Sequence, residues 1–414
     1  MGETIVSPTR RQQVAILLGA SLMLSLGMGM RQSLGLFMVP VTRDLGFSVS
    51  DFTFALALQN MMWGLTQPVA GAYADRYGSR PVLMGGAALY ALGMAVMAFA
   101  QGRWSFTIGA GVMIGAAMSC VGSNLGMSAC ARAVSPASRS LVLGMTSAVG
   151  SLGTFFAAPM AQSLIASYGW QVAFIAFIAV AAAILPAAFF AGVVDKVHKP
   201  AARDANDASV PSLRAVLREA ARHRGYVTMS FAFFVCGLQL VFLTTHLPTY
   251  LALCGQDPML SAEALATIGG FNVIGCYVLG WLGGHYPKHI LLGLVYVLRS
   301  MVLTAYFLSP ATPATTLVFA AAMGLLWLGI APLVMGLVAQ MFGLRYLATL
   351  TGVSFFIHQI GSSLGAWGGG LVFDAFGNYD VAWRFGVVVG LVAGVAQMLT
   401  DDRPSHRRLR PALA

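Results

Sequence analysis

Apolar runs of about 18 residues or more recur from one end of the chain to the other, separated by short knots of glycine, proline and charge. Runs of that length cross a bilayer as helices. They are continuous rather than alternating, so they do not fit the strands of a membrane barrel. The pattern predicts six spans in the first part of the chain: Val14–Met38, Phe52–Ala74, Val82–Ala100, Phe106–Ala131, Arg139–Ile165 and Val172–Val193. Six more follow: Tyr226–Leu253, Ala264–Gly284, Ile290–Leu308, Thr315–Phe342, Tyr346–Phe373 and Val381–Leu399. Asp51 and Ser261 (the latter followed by Glu263) read as N-caps of spans 2 and 8. The expected fold class is an all-α membrane protein of twelve transmembrane helices.

A polar, charge-rich stretch divides the spans into two sets of six. The expected organisation is an N-terminal half over residues 1–193, a linker over 194–225, and a C-terminal half with a short basic tail over 226–414. The halves repeat. A shift of 209 residues brings Gly71 onto Gly280 and Tyr77 onto Tyr286, and sets the charged knot after span 2 over Gly280–Lys288. The second copy keeps glycine and a base but has Gly284 where the first has Asp75. Two such halves in parallel are the pattern of repeat-built transporters. Gly111-x-x-x-Gly115, Gly122-x-x-x-Gly126 and the run Gly361, Gly365, Gly369 put small residues on single helix faces, which suits close helix packing.

Composition closes off other classes. With 58% hydrophobic and 9% charged residues, the chain is not a soluble domain. Its net charge of +10 would suit nucleic acid in a soluble protein, but here the charge is sorted along the chain. Of 24 lysines and arginines, 19 fall in alternate loops and tails. The positive-inside rule then places both termini and the central linker in the cytoplasm, as in a multi-pass bacterial inner-membrane protein. The N-terminal apolar run is too long for a signal peptide and reads as span 1. Cys120, Cys130, Cys236, Cys254 and Cys276 form no metal-type pair, and only Cys254 lies near the outer face, so no disulfide framework follows. No catalytic, phosphate-loop or metal-ligand motif is present, so neither an enzyme nor a cofactor is expected.

The chemistry lies in the polar residues inside spans. No acidic residue sits in the middle of a span, and two full charges do, Arg31 and Arg299. Each costs roughly 2.5–3.5 kcal/mol near a bilayer centre unless it meets water, a partner or a ligand. Arg31, beside Gln32, lies about 26 Å along span 1 at 1.5 Å per residue. Its planar fork suits a carboxylate. Gln59 and Asn60 in span 2, Asn124 in span 4, Gln239 in span 7 and His358-Gln359 in span 11 are further candidates to face substrate. Asn272 and His246 are also polar within or at the end of spans. His358 is the mid-membrane group with an ordinary pKa near neutrality, hence a candidate for proton coupling.

The knot Gly71-Ala-Tyr-Ala-Asp75-Arg76-Tyr-Gly78-Ser-Arg80 resembles the loop between helices 2 and 3 of the major facilitator superfamily, roughly Gly-x-Leu-x-Asp-Arg-x-Gly-Arg-Lys. Tyr77-Gly-Ser-Arg80, Arg31-Gln-Ser33, Gly169-Trp170 and the start of span 5 from Arg139 to Gly144, with Gly150 and Gly153, are most similar to its monocarboxylate and oxalate–formate branch. The resemblance implies two six-helix halves and alternating-access transport of a small organic anion with a proton, working as a monomer in the lipid bilayer. Span 1 would line the cavity, with Arg31 as anion clamp, while span 9, carrying Arg299, would be a structural support. Asp75 would lie near Tyr346 at the start of span 11, with Arg76, Arg80, Arg132 and Arg139 as gating charges. The branch commonly keeps an acidic and basic pair in its second half, and here only bases remain. Efflux of amphipathic or toxic compounds is the alternative, supported by the Met- and aromatic-rich spans; a non-transporting sensor is a remote one.

Overall fold

A computed structural model describes residues 8–135, 139–196, 213–327, 329–343 and 347–400. Within them every regular element is helical. In hydrocarbon each backbone N–H and C=O must be bonded internally, and a continuous apolar run achieves this as a helix.

The first group of helices is α1 (Arg10–Gln32), α2 (Met38–Leu45), α3 (Val49–Tyr77), α4 (Ser79–Ala98), α5 (Arg103–Thr107), α6 (Ile114–Val121), α7 (Ser123–Ala133), α8 (Arg139–Tyr168), α9 (Trp170–Ala182) and α10 (Ile184–Ala191). A short amphipathic helix, α11 (Leu213–Arg222), precedes the second group. That group comprises α12 (Arg224–Leu253), α13 (Pro258–His285), α14 (Lys288–Phe307), α15 (Pro313–Leu325), α16 (Ile330–Phe342), α17 (Leu347–Phe376) and α18 (Asp380–Met398). Among the described residues, ten helical stretches are long and apolar enough to cross a membrane. Helices α3 and α17 have the length, 29 and 30 residues, but carry Gln59-Asn60 and His358-Gln359 along their middles and are less apolar.

Several predicted spans are interrupted. Span 1 breaks at Ser33, whose Oγ donates to the Gly29 carbonyl at 2.8 Å, and resumes as α2. Span 4 carries a π-helical turn over Ile108–Met113 and a second break at Gly122, which is extended. Span 10 unwinds between α15 and α16. Two expected caps are corrected. Ser48 caps α3, with Asp51 closing the capping box from the third helical position. Asp257 caps α13 ahead of Pro258, leaving Ser261 buried inside the helix. In both places the helix extends outward by about a turn, because a better cap lies there.

The described ends of the segment expected as a linker pack against the helix groups. The 3-10 turn Gly192–Lys196 buries Val194 against Ile16, Ala129 and Ala133. At the other end α11 packs Val216 and Ala220 into the core.

Small residues set helix separation. On α17 a Cβ at Gly361 or Gly365 would stand 2.0 or 2.2 Å from the carbonyl oxygens of Phe234 and Leu238 on α12. On α8 a Cβ at Gly153 would stand 1.7 Å from the Ser25 carbonyl of α1. Such separations exist only where a side chain is missing altogether.

Side-chain contacts between the two groups gather at one end and the middle. The Ser50 amide donates to Asp374 at 3.0 Å, Ser363 Oγ to the Ala57 carbonyl at 2.9 Å, and Asn272 Nδ2 to Ser151 Oγ at 2.7 Å. A Cβ at Gly35 would stand 2.3 Å from the Thr244 carbonyl. Towards the other end, which carries Arg76, Arg80 and Arg132, the α3 stripe Leu65, Val69, Tyr73, Tyr77 and the α13 residues Tyr277 and Trp281 are exposed.

Candidate functional site

A narrow cleft lies between the groups where α1, α3 and α12 converge, lined by Arg31, Leu56, Gln59, Asn60, Thr244 and Thr245, with Gln32 and Gly35 beside them. Each side chain is there for a local reason. Arg31 stands in the last turn of α1, one turn past Gly27, whose carbonyl accepts the Tyr90 hydroxyl at 2.8 Å. Asn60 is held in place from its own helix, Nδ2 donating to the Leu56 carbonyl at 2.7 Å. Its Oδ1 then accepts from Arg31 Nη2 at 2.5 Å. Trp63, three residues on and so on the same α3 face, supports the guanidinium from below, with Arg31 Cζ 5.0 Å from the ring centroid. Trp63 is fixed in turn by Nε1 donating to Gln67 at 3.1 Å.

Arg31 is therefore positioned but not neutralised. Its polar partner is an amide, and no carboxylate pairs with it among the described residues. Its Nε is closed off from solvent and makes no hydrogen bond. A buried donor left unmade costs about 1–3 kcal/mol, more when charged. The cleft is thus lined by a forked cation that has no carboxylate partner and one buried donor left unmade.

On the side of this cluster towards Arg76 and Arg132, aromatics from both groups close over it. Trp63 meets Phe355 of α17 edge-on at 5.3 Å, and Phe355 stacks with His358 at 6.0 Å. His358 is half-buried, 4.5 Å from the Phe233 ring, with Nδ1 3.3 Å from Gln359 Oε1 and 3.4 Å from Ser362 Oγ. Gln359 is buried with Nε2 unpartnered, and packs so close to Gly64 that a Cβ there would stand 3.2 Å from it.

The remaining predicted residues are placed differently. Gln59 borders the cleft but spends Nε2 on the Ala110 carbonyl at 2.8 Å. Asn124 lies beyond the Gly122 break, exposed and outside the cleft lining. Gln239 is turned to α14 and α18, donating to Ser300 Oγ and the Gly386 carbonyl at 3.3 and 2.9 Å. His246 is buried between Tyr379 and the Ala366 carbonyl. Arg299, fully buried, donates to Cys236 Sγ at 3.2 Å and to the Leu326 and Trp327 carbonyls, so it satisfies the unwound turn of span 10.

The charged knot has a partner that sequence reasoning missed. Gly78, at φ 95°, ends α3 and precedes α4 without a side chain to cap it. Asp195 supplies the cap from the end of the first group, accepting the Ser79 and Arg80 amides at 2.8 and 2.7 Å. A carboxylate there meets the positive end of the helix dipole. Arg132 Nη2 donates to Ser79 Oγ at 2.7 Å and lies within the electrostatic reach of Asp195 and Asp75. Arg80 stacks on Phe189, 3.6 Å from the ring centroid. Asp75 and Arg76 are exposed, Arg76 lying over Tyr77. The Arg139 side chain and Tyr346 lie outside the described residues, so the expected Asp75–Tyr346 contact does too. The available signal was one acid, Asp195, at the end of an apolar run and facing a basic linker. Asp195→Ala should lower the melting temperature of the purified protein by several degrees, from about 2 kcal/mol of lost charge-assisted bonds. Unchanged melting would refute this capping role.

Long apolar helices in two groups around a polar cleft define a membrane transporter of the secondary type. A family profile described as Major Facilitator Superfamily matches residues 17–366, and the chain belongs to that superfamily. Over 389 residues it is 24% identical to monocarboxylate transporter 13 of Bos taurus, spanning 93% of this chain and 88% of that one. Over 359 residues it is 23% identical to the uncharacterized MFS-type transporter YcxA of Bacillus subtilis (strain 168), spanning 84% and 85%. Among solved structures it resembles the E. coli fucose:proton symporter FucP, with a TM-score of 0.62 at 18% identity over 94% of this chain and 98% of that chain. At that identity the likeness is one of fold. The protein is a multi-pass transporter of small molecules and not an enzyme.

Proposed function

We propose that this transporter moves a small organic anion of monocarboxylate type, together with a proton, across a bacterial inner membrane by alternating access. The observation that carries this reading is Arg31: a cation fixed in a narrow inter-group cleft, with no carboxylate partner and an unmade Nε–H. A carboxylate oxygen on Nε and the free edge of the fork supplies both the missing charge and the missing acceptor. Similarity to monocarboxylate transporter 13 supports the same substrate class. An amphipathic cation would be repelled by the same guanidinium, which disfavours the efflux reading.

In this reading the twelve spans include α3 and α17, whose polar middles border the cleft, and the two groups are the rocking halves, residues 1–193 and 226–414. The positive loops face the cytoplasm, so the contacts at Ser50–Asp374 and Gly35–Thr244 form a closed outer gate. Trp63 and Phe355 then form a thin inner gate over Arg31. His358, beside that pair, is the proton-coupling candidate, and the monomer is the working unit.

The test is uptake of labelled carboxylates by proteoliposomes with and without an imposed proton gradient. Accumulation driven by the gradient is expected. No uptake of any carboxylate would overturn the substrate class; uptake indifferent to the gradient would overturn the coupling. Trp63→Ala should raise KM roughly 2- to 30-fold through loss of the cation–π support, while Trp63→Phe recovers most of it. Equal KM values across the three proteins would sink Trp63 as the support of Arg31.

A further inference from the structure

The amphipathic helix α11 carries a charged face that no part of the transport cleft uses. Its inner face is Val216 and Ala220, each 2% exposed, with Leu217 packed beside them. Arg214, Arg218 and Arg222 follow one another at four-residue spacing, so they share the opposite face, and all three are exposed. Arg224, the first residue of α12, is exposed as well. Four arginines against the single acid Glu219 make the segment strongly basic.

Its position is fixed by the rest of the fold. His223 turns the chain between α11 and α12, caps α12 by accepting the Tyr226 amide at 3.3 Å, and packs its ring 5.2 Å from Phe342. Tyr226 donates to the Leu350 carbonyl at 2.8 Å. The helix is therefore anchored where α12, α16 and α17 end, at the boundary between an apolar span and the aqueous phase. That is the level at which phospholipid headgroups lie.

We infer that α11 is a binding surface for anionic phospholipid headgroups, with Arg214, Arg218 and Arg222 engaging their phosphates. The argument is charge complementarity at the right depth: a basic amphipathic helix beside a span concentrates acidic lipid. Arginine is the base best suited to it, since its fork matches two phosphate oxygens. The apolar side is already occupied by the protein, so α11 reads the membrane through its charges rather than by inserting a hydrophobic face.

Native mass spectrometry of the full-length protein in mild detergent tests this, titrating phosphatidylglycerol and phosphatidylcholine with the same acyl chains. The wild-type protein should bind phosphatidylglycerol more tightly, and the preference should shrink in high salt. Each arginine near an anionic surface contributes roughly fivefold, so R214Q/R218Q/R222Q should weaken binding at this site by about 100-fold. R10Q/R11Q, which removes a different basic pair, should retain it, and R214K/R218K/R222K should retain most. Should the triple glutamine variant not fold, Arg218→Gln alone is expected to show the fivefold step. Equal binding of the two lipids, or phosphatidylglycerol binding by the glutamine variants equal to wild type, overturns the assignment. Carboxylate uptake is not read, so the result stands apart from the proposed substrate.

Discussion

Replacing Arg31 with Gln is expected to abolish carboxylate uptake while leaving the protein folded and at least as heat-stable as the parent. Hydrogen bonds to charged groups contribute about 1.5–3 kcal/mol each, so losing two to a carboxylate costs 10²- to 10⁴-fold in uptake efficiency. Stability should move the other way. An unpaired guanidinium within a membrane span opposes folding by roughly 2.5–3.5 kcal/mol, and Gln removes that opposition. The Asn60 Oδ1 loses one donor and Trp63 its cation–π partner, each a smaller effect. A structural arginine would behave in the opposite sense, with the Gln variant melting early. Arg31→Lys should fall between, keeping the charge but not the fork. Uptake rates and melting curves on the same three preparations decide the matter: full uptake in Arg31→Gln refutes the clamp, and a lowered melting temperature refutes the functional reading of its charge.

The second large effect is expected at Gly153, where a substitution should prevent assembly of the first helix group. A Cβ there would stand 1.7 Å from the Ser25 carbonyl of α1, and Gly29 on α1 abuts Gly153 in return. Both obstacles are backbone, so no rotamer change relieves them, and α1 and α8 must separate. Overpacking of even one methylene commonly costs about 1–3 kcal/mol. Gly153→Val, with two more methyl groups, should exceed that and yield little protein in the membrane. Gly144→Ala on the same helix meets nothing within 4 Å and should express normally. Fluorescence size-exclusion profiles of the two variants provide the comparison; a monodisperse Gly153→Val peak at wild-type level would show that the contact yields.

These two positions show what was legible in the chain. Arg31 stood out by cost alone, because a charge inside an apolar run requires an explanation wherever it lies. Its partners were only half visible. Asn60 was a candidate on grounds of polarity, but Trp63 looked like any other aromatic in a span, and its role depends on α1 and α3 crossing at that depth. Gln239 was equally polar and equally deep, yet its face of α12 looks to α14 and α18. The axial depth of a residue follows from counting; its azimuth follows from which neighbours pack on which side.

The glycines and acids make the same distinction. Gly144, Gly150 and Gly153 are indistinguishable as letters, and only the approach of α1 separates an open position from an obligatory one. Asp75 carried the family motif, whereas the carboxylate that caps α4 is Asp195, 120 positions further along the chain. By itself the sequence determined the all-helical membrane class and singled out a costly cation inside a span, since both follow from local hydropathy and charge. Tertiary structure alone decided which polar residues share the cleft, which charges cap helices, and which glycines are indispensable. Those depend on contacts between segments far apart in the chain, and helix periodicity fixes a face without naming what it faces.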